Sequence, residues 1–172
     1  QSEGLLALPR ALHVAALLVL GALASCSQPP PNVVLVIGDT LRADRLGTYG
    51  NPRGLTPFLD ELAEEALVFE NASNHAPWTL PSTASLLTSM LPEEHGAGGR
   101  LGAFRKLDDR IETIAELLQA RGYATHAVVN VIFLSEGFGL TQGFDSVDAE
   151  VPVDNKTIRS ARVTTDSALA WL

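Results

Sequence analysis

Two side chains of this sequence could do chemistry together: the carboxylate of Asp39 and the hydroxyl of Thr79. Asp39 follows the apolar run Val33–Ile37, whose lack of alternation is typical of a strand buried on both faces of a parallel sheet. Ligands of open α/β sheets bind at the carboxyl ends of such strands. We therefore expect Asp39 to lie where a metal ion or an anionic substrate is bound.

Thr79 lies just before Pro81, which we predict to be the first residue of a helix. A hydroxyl beside a helix N-terminus faces free backbone N–H groups and the positive end of the helix dipole, which attract phosphate or sulfate. Together, Asp39 and Thr79 indicate metal-assisted chemistry on an oxyanion ester. The structural alternatives are that Asp39 caps a turn and that Thr79 only caps the helix.

The elements that must position these groups alternate between strands and helices. Thr56 and Pro57 predict a helix start, and a strand is predicted at Leu67–Phe69. The apolar residues predicted on one face of this helix are Phe58, Leu59, Leu62, Ala63 and Ala66. The alternation predicts an α/β sandwich with a mainly parallel sheet.

The second half of the sequence continues the alternation. A helix through Ile111, Ile114, Ala115 and Leu118 is expected to end at Gly122, with a strand at residues 127–129 after it. A last helix is predicted from Ile158 to Leu172. The glycine-rich segment 93–109 is predicted to be a loop near the site.

The N-terminal residues predict export. Arg10 precedes the apolar stretch 11–24, whose length fits a secretory signal and falls short of the ~20 residues needed to span a bilayer. Leu23–Cys26 resembles the lipobox of bacterial lipoproteins, which implies lipidation of Cys26, the sole cysteine. The structural alternative for Cys26 is a small buried residue. The predicted location is a bacterial membrane surface facing the periplasm or the cell exterior.

The domain organisation follows from these features. We assign residues 1–26 to a signal peptide ending at Cys26, residues 27–31 to a Pro-rich tether and residues 32–172 to a folded domain. The chain of 172 residues starts without Met and stops inside a predicted helix, so we expect a fragment of a longer protein. Its net charge of -8 disfavours nonspecific nucleic-acid binding.

Several ordered segments resemble the start of a sulfatase-type domain of the alkaline phosphatase superfamily. They are Asp39–Asp44, Thr56–Asp60, Trp78–Ser82, Glu94–Gly96, Gly122–Thr125 and Phe138–Asp145. The resemblance implies a three-layer α/β/α sandwich, incomplete in this chain.

The resemblance also implies roles for individual residues. Asp39 corresponds to a metal ligand, and Thr79 to the nucleophile and a further metal ligand. Thr40 and His95 match positions beside the site. The implied cofactor is a divalent metal, with calcium, zinc and manganese not distinguished. Such enzymes take further ligands from later sequence, so this chain alone is expected to be inactive. His75 and His126 are interpreted as structural.

Departures from the family pattern limit the sulfatase assignment. Sulfatases place a Cys or Ser at the nucleophile position and oxidise it to formylglycine, with an Arg four residues later. Here these positions hold Thr79 and Thr83. Threonine lacks the primary carbon that becomes the aldehyde, so no formylglycine is expected. Thr40 replaces a second carboxylate, and Asn130 and Ile132 stand where Lys and His are usual.

The resemblance therefore implies a metal-dependent hydrolase of sulfate or phosphate esters. One alternative is a phosphodiesterase or phosphoryl transferase of the same superfamily, which the intact threonine favours. Another is a noncatalytic surface lipoprotein that binds through this fold. The expected partners are a small-molecule, glycan or lipid-headgroup ester and the membrane that holds the lipid anchor.

Overall fold

The computed structural model describes residues 30–100, 102–149 and 159–172. The predicted signal peptide, Cys26 and residues 27–29 of the tether lie outside the described residues. The chain divides into two compact units, residues 1–37 and residues 38–172. Each unit is described by itself below.

In the first unit, residues 30–37 form no regular secondary structure, and their side chains are exposed. Val34 and Val36 are 64% and 86% exposed. The prediction of a buried strand at Val33–Ile37 is therefore wrong for this structure. A strand is held by hydrogen bonds to a neighbour, and no strand pair of the described residues includes this segment.

The second unit contains five α-helices in its described residues. They are α1 (Pro57–Glu64), α2 (Thr79–Thr88), α3 (Pro92–His95), α4 (Ile114–Gln119) and α5 (Ala161–Trp171). Short 3-10 turns occur at Ala43–Arg45, Gly47–Tyr49, Ile132–Leu134 and Glu136–Phe138. Within the described ranges, no helix is both long and apolar enough to cross a bilayer.

Two small sheets complete the described part of this unit. Strands β1 (Gly98–Arg100) and β2 (Ala103–Arg105) pair antiparallel, so part of the predicted glycine-rich loop is a hairpin. Strands β3 (His126–Val128) and β4 (Ser146–Asp148) pair in parallel, with Ala127 opposite Val147. The predicted strand at residues 127–129 forms one residue earlier, at His126–Val128, and does not include Val129.

The predicted helices form, with shifted ends. Helix α1 begins at Pro57 as expected, yet none of its residues is buried, and Phe58 is 72% exposed. Leu67–Phe69 forms no strand and is exposed, which contradicts the prediction. The reason is the same as for residues 33–37, because no strand of the described chain pairs with this segment.

Helix α4 starts later than predicted because of its cap. The Thr113 hydroxyl accepts a hydrogen bond from the Glu116 N–H, and the Glu116 carboxylate accepts one from the Thr113 N–H. Gly122 follows this helix with φ 83°, consistent with its predicted role as a terminator. Helix α5 begins at Ala161, and the predicted start at Ile158 lies outside the described residues.

The core of this unit is built around α2. Leu80 and Leu107 are fully buried and cluster with Ala84, Leu87, Ala97 and Leu140. Burial of one leucine side chain contributes ~1.5–3 kcal/mol. Since Leu80 directly follows Thr79, this burial fixes the start of α2 and the direction in which the Thr79 hydroxyl points.

Candidate functional site

Asp39 lies in a tight turn closed by a 3.2 Å hydrogen bond from the Leu41 N–H to the Gly38 carbonyl. Thr40, the third residue of this turn, has φ 56°. A β-branched residue rarely adopts this left-handed conformation, which costs ~1–3 kcal/mol and is concentrated at functional sites. The turn exposes the Asp39 carboxylate.

Thr79 is the first residue of α2, preceded by Trp78 in an extended conformation. We predicted Pro81 as the first helical residue, so the helix begins two residues earlier than expected. Proline is tolerated there because the first-turn N–H groups have no partner inside the helix. Thr79 is half-buried at the end of α2 where those N–H groups point outward.

The fold brings Asp39 and Thr79 together across forty residues of sequence. The Thr79 Oγ1 hydroxyl lies 3.2 Å from each carboxylate oxygen of Asp39 and donates a hydrogen bond to that group. The turn at Asp39 and the N-terminus of α2 thus form one candidate site. A carboxylate that accepts from a hydroxyl directs the hydroxyl oxygen's lone pairs away from itself.

The donor atoms of this pair fit a divalent cation only in part. A carboxylate and a hydroxyl are the oxygen ligands preferred by hard cations such as Ca²⁺ and Mn²⁺. The described residues contain no group of three or more His, Cys, Asp or Glu side chains that could hold a metal ion. Two side chains leave such a cation short of ligands, so Asp39 and Thr79 can supply one side of a metal site.

His95, at the end of α3, is only 3% exposed. Its Nδ1 accepts a hydrogen bond from the Ala97 N–H at 3.0 Å, and its Nε2 lies 3.0 Å from the Ser85 hydroxyl. Burial lowers the pKa of His95, against the raising effects of the Pro81 backbone and of Glu93 and Glu94. Nε2 thus joins α3 to α2, and Nδ1 binds the backbone that follows α3.

Four further residues named in the sequence analysis have surroundings of their own. Asn130, for which the resemblance implies Lys, donates a hydrogen bond to the Thr164 hydroxyl of α5 at 2.6 Å. His126 stacks on Trp171 with ring centroids 5.1 Å apart. His75 is exposed, and Ile132 is 56% exposed.

Thr83, at the position for which the resemblance implies Arg, is only 7% exposed. A guanidinium is rarely buried without a partner, so the backbone here is arranged for a small side chain. The structure thus accommodates the substitution that the sequence shows.

Sequence reasoning missed an aromatic cluster beside Thr79. The Trp78 ring contacts Phe104 and Phe133, at centroid distances of 6.0 and 5.7 Å. Phe138 joins the cluster through both phenylalanines. The available signal was Phe104 itself, an aromatic residue within a glycine-rich segment. The cluster fixes the indole on the residue that precedes the candidate nucleophile.

Comparisons with known proteins show the family of the chain. Residues 31–167 match the model of the Sulfatase family. The mouse steryl-sulfatase is 39% identical over 104 residues, covering 56% of this chain and 17% of its own length. Human arylsulfatase A is 41% identical over 99 residues, covering 56% of this chain and 20% of its own length.

A comparison with solved structures also finds a sulfatase. The structure of a 2-O GAG sulfatase superposes with a TM-score of 0.55 at 25% identity, covering 72% of this chain and 25% of that chain. The chain belongs to the sulfatase family and has part of its alkaline phosphatase-like α/β fold. The predicted fold class is thereby confirmed, and the chain spans about a fifth of the length of the two curated relatives.

Proposed function

We propose that the protein containing this chain is a metal-dependent hydrolase of sulfate or phosphate esters, with Thr79 as its nucleophile. The hydrogen bond from Thr79 to Asp39 at the start of α2 is the observation that carries the proposal. It combines an oriented hydroxyl with backbone N–H groups that attract an oxyanion.

In this proposal the Thr79 oxygen attacks sulfur or phosphorus. A bond from Thr79 Oγ1 to sulfur or phosphorus forms while the hydroxyl proton passes along its hydrogen bond to Asp39, and the bond to the substrate's alcohol oxygen breaks. The departing alcohol takes up that proton, and water later hydrolyses the ester on Thr79 and releases the inorganic anion. Asp39 orients the hydroxyl through their hydrogen bond. A bound divalent cation would supply positive charge against the ester oxygens and lower the pKa of the hydroxyl. Asp39 and Thr79 are its proposed ligands.

We propose two classes of ester substrate and rank sulfate esters first. The names of the relatives describe sulfatases of steryl, aryl and GAG substrates, which share a sulfate ester and differ in the organic part. Sulfate ester hydrolysis is therefore the leading function. Phosphodiester hydrolysis or phosphoryl transfer is the second candidate, since the intact Thr79 hydroxyl and the buried Thr83 depart from a formylglycine site.

The first prediction concerns Thr79 in the full-length protein purified with divalent metal. Thr79→Ala removes the nucleophilic oxygen, so we expect kcat to fall by a factor on the order of 10³ or more. Thr79→Ser keeps the hydroxyl and should retain activity. The measurement is turnover of 4-nitrophenyl sulfate, 4-nitrophenyl phosphate and bis(4-nitrophenyl) phosphate.

Thr88→Ala is the matched control for this prediction. Thr88 is at the other end of α2, where its hydroxyl donates to the Ala84 carbonyl. Its loss should leave kcat within about twofold, because it lies outside the proposed reaction. Full activity of Thr79→Ala would refute the nucleophile assignment. Turnover of sulfate alone by the wild type would remove the phosphoryl alternative.

We also propose that the protein is exported and anchored to a bacterial membrane by lipid on Cys26. The support is the lipobox-like sequence at Leu23–Cys26 after an apolar stretch. When the full-length protein is expressed in a bacterial host with radiolabelled palmitate, we expect label on the wild type and none on Cys26→Ala. Equal labelling of the two proteins would refute this assignment.

A further inference from the structure

Two residues other than glycine have a left-handed backbone in the described part of the chain, Thr40 and Ser89. Ser89 ends α2, where its N–H donates to the Ser85 carbonyl, and a left-handed residue is common at the end of a helix. Thr40 is instead the third residue of the turn Gly38–Leu41. Its left-handed backbone therefore needs a different explanation.

The turn alone favours a different residue at position 40. A turn whose third residue is left-handed usually has Gly or Asn there, because a branched Cβ crowds the backbone at positive φ. The hydrogen bond from the Leu41 N–H to the Gly38 carbonyl closes the turn and holds Thr40 in this conformation. A residue that is unfavourable for its own backbone indicates that its side chain serves another purpose.

The Thr40 side chain offers a hydroxyl to a ligand. Thr40 is exposed, and its hydroxyl takes part in no hydrogen bond with the residues that the structure describes. It belongs to the residue next to Asp39, whose carboxylate accepts the Thr79 hydrogen bond. Gly38 and Leu41, which complete the turn, have no side-chain donor, so Thr40 supplies the neutral side-chain donor of this turn.

A donor beside Asp39 matters because of the charges at the site. Sulfate and phosphate esters are anions, and the Asp39 carboxylate repels them as a like charge. The Thr79 proton is directed to Asp39 and is not available to the ester. Arg42, the next cationic residue along the chain, is held by Asp44 through two hydrogen bonds. A neutral donor next to the carboxylate would offset the repulsion.

We propose that the Thr40 hydroxyl binds the ester by donating a hydrogen bond to one of its nonbridging oxygens. The proposal rests on the proposed function above. The first-turn N–H groups of α2 would hold the anion from the side of Thr79, and Thr40 from the side of Asp39. The strained backbone at position 40 is then explained by the place that it gives this hydroxyl.

Three substitutions separate the hydroxyl from the backbone strain. Thr40→Val keeps the branched shape and the strain, Thr40→Ser keeps the hydroxyl, and Thr40→Gly removes both. In the full-length, metal-loaded protein, we expect Thr40→Val and Thr40→Gly to raise KM for the ester that the wild type hydrolyses by about tenfold, the effect of losing one charge-assisted hydrogen bond. Thr40→Ser should keep KM within about threefold of the wild type.

Two controls exclude an effect of folding or of strain alone. Thr40→Gly should unfold at the same temperature as the wild type or higher, because it relieves strain, so its weaker binding is not a loss of structure. Ser89→Gly relieves strain at the other left-handed residue, outside the proposed site, and should leave KM unchanged. An unchanged KM in Thr40→Val would overturn the proposal.

Calorimetric binding of inorganic sulfate and inorganic phosphate tests the proposal without turnover, on the Thr79→Ala background. We expect Thr40→Val to weaken the binding of one or both anions by about tenfold. That result, with no turnover of any ester by the wild type, would refute the proposed function and support the Thr40 assignment. Equal anion affinity with and without Thr40→Val, or binding of neither anion, would overturn the assignment. A parallel loss of bound metal, measured by elemental analysis, would also overturn it, because Thr40 would then act on the cation.

Discussion

At the scale of single residues, His95 shows how a residue near the site can serve the fold. Its buried ring accepts from the Ala97 N–H at Nδ1, which requires that this nitrogen carry no proton. The Nε2 atom then carries the proton and donates to Ser85. With both nitrogens used by protein groups, His95 positions α3 against α2.

The neutral state of His95 predicts a pH dependence of stability. Because burial lowers its pKa in the folded state, the unfolded state binds more protons near pH 6. The free energy of unfolding should therefore fall as pH decreases through ~6.5, by at most ~1.4 kcal/mol per pH unit for one proton. Urea unfolding at pH 7.5 and 5.5 should show a smaller fall for His95→Gln than for the wild type.

His75 provides the matched control for the pH prediction. It is exposed, so replacing it removes no buried contact, and His75→Gln should keep the wild-type dependence. The His95 assignment is contradicted when His95→Gln and the wild type lose equal stability between the two pH values. A low stability of His95→Gln at both pH values does not affect this comparison, which uses differences.

At the scale of elements, the approach of Gly143 to α4 fixes the chain that leads into β4. A Cβ atom at Gly143 would lie 2.4 Å from the Glu116 backbone nitrogen, and its φ is 82°. Gly143→Ala therefore combines a backbone clash with a disfavoured conformation, and we expect a loss of roughly 2–4 kcal/mol in the free energy of unfolding.

Gly137 allows a direct control for this substitution. A Cβ atom there meets no heavy atom within 4 Å, and φ lies outside the left-handed range. Gly137→Ala should change the free energy of unfolding by less than about 1 kcal/mol in either direction. Thermal or urea denaturation of both variants measures the difference. Equal effects would show that the contact between Gly143 and α4 is absent in solution.

The sequence predicted the elements whose signals are local. Helix α1 follows Thr56-Pro57, and Gly122 lies past α4, because capping and proline effects act within a few residues. The wrong predictions, Val33–Ile37 and Leu67–Phe69, concern strands, which need a distant partner. The hairpin of β1 and β2 was not predicted, because its segment is rich in glycine, which is typical of a loop. Several of these glycines have left-handed φ values.

The two residues of the candidate site were also predictable from the sequence. Asp39 and Thr79 were identified from their types and their positions beside expected elements, and the fold places them in hydrogen-bond contact. The aromatic cluster around Trp78 could not be predicted, because its rings come from separate segments that tertiary packing brings together.

At the scale of the whole molecule, several large apolar side chains of the described residues are unusually exposed to solvent. Val36 is 86%, Leu67 81% and Phe58 72% exposed. Large exposed apolar side chains are binding sites for apolar dyes and for other apolar surfaces. We predict that the 172-residue chain binds the dye ANS through these exposed apolar side chains.

Leu67→Lys tests the source of that dye binding. A charge in place of an exposed leucine should lower ANS fluorescence and light scattering of the isolated chain, since it removes apolar surface. Asn71→Lys is the matched control, because Asn71 is exposed and the charge change is the same. Equal reductions by both variants would attribute the effect to net charge. In that case the prediction for Leu67 is wrong.

The hydrogen bond between Asp39 and Thr79 has a consequence for the order in which the molecule forms. It closes a loop of forty residues, which costs roughly 3 kcal/mol of chain entropy, whereas one exposed hydrogen bond returns only ~1 kcal/mol. Helices α2 and α3 are close in sequence, so their contacts can form early. The two halves of the site then meet late in folding and separate first on unfolding, and amides near Asp39 should exchange with solvent faster than those of α2 until a ligand bridges the two.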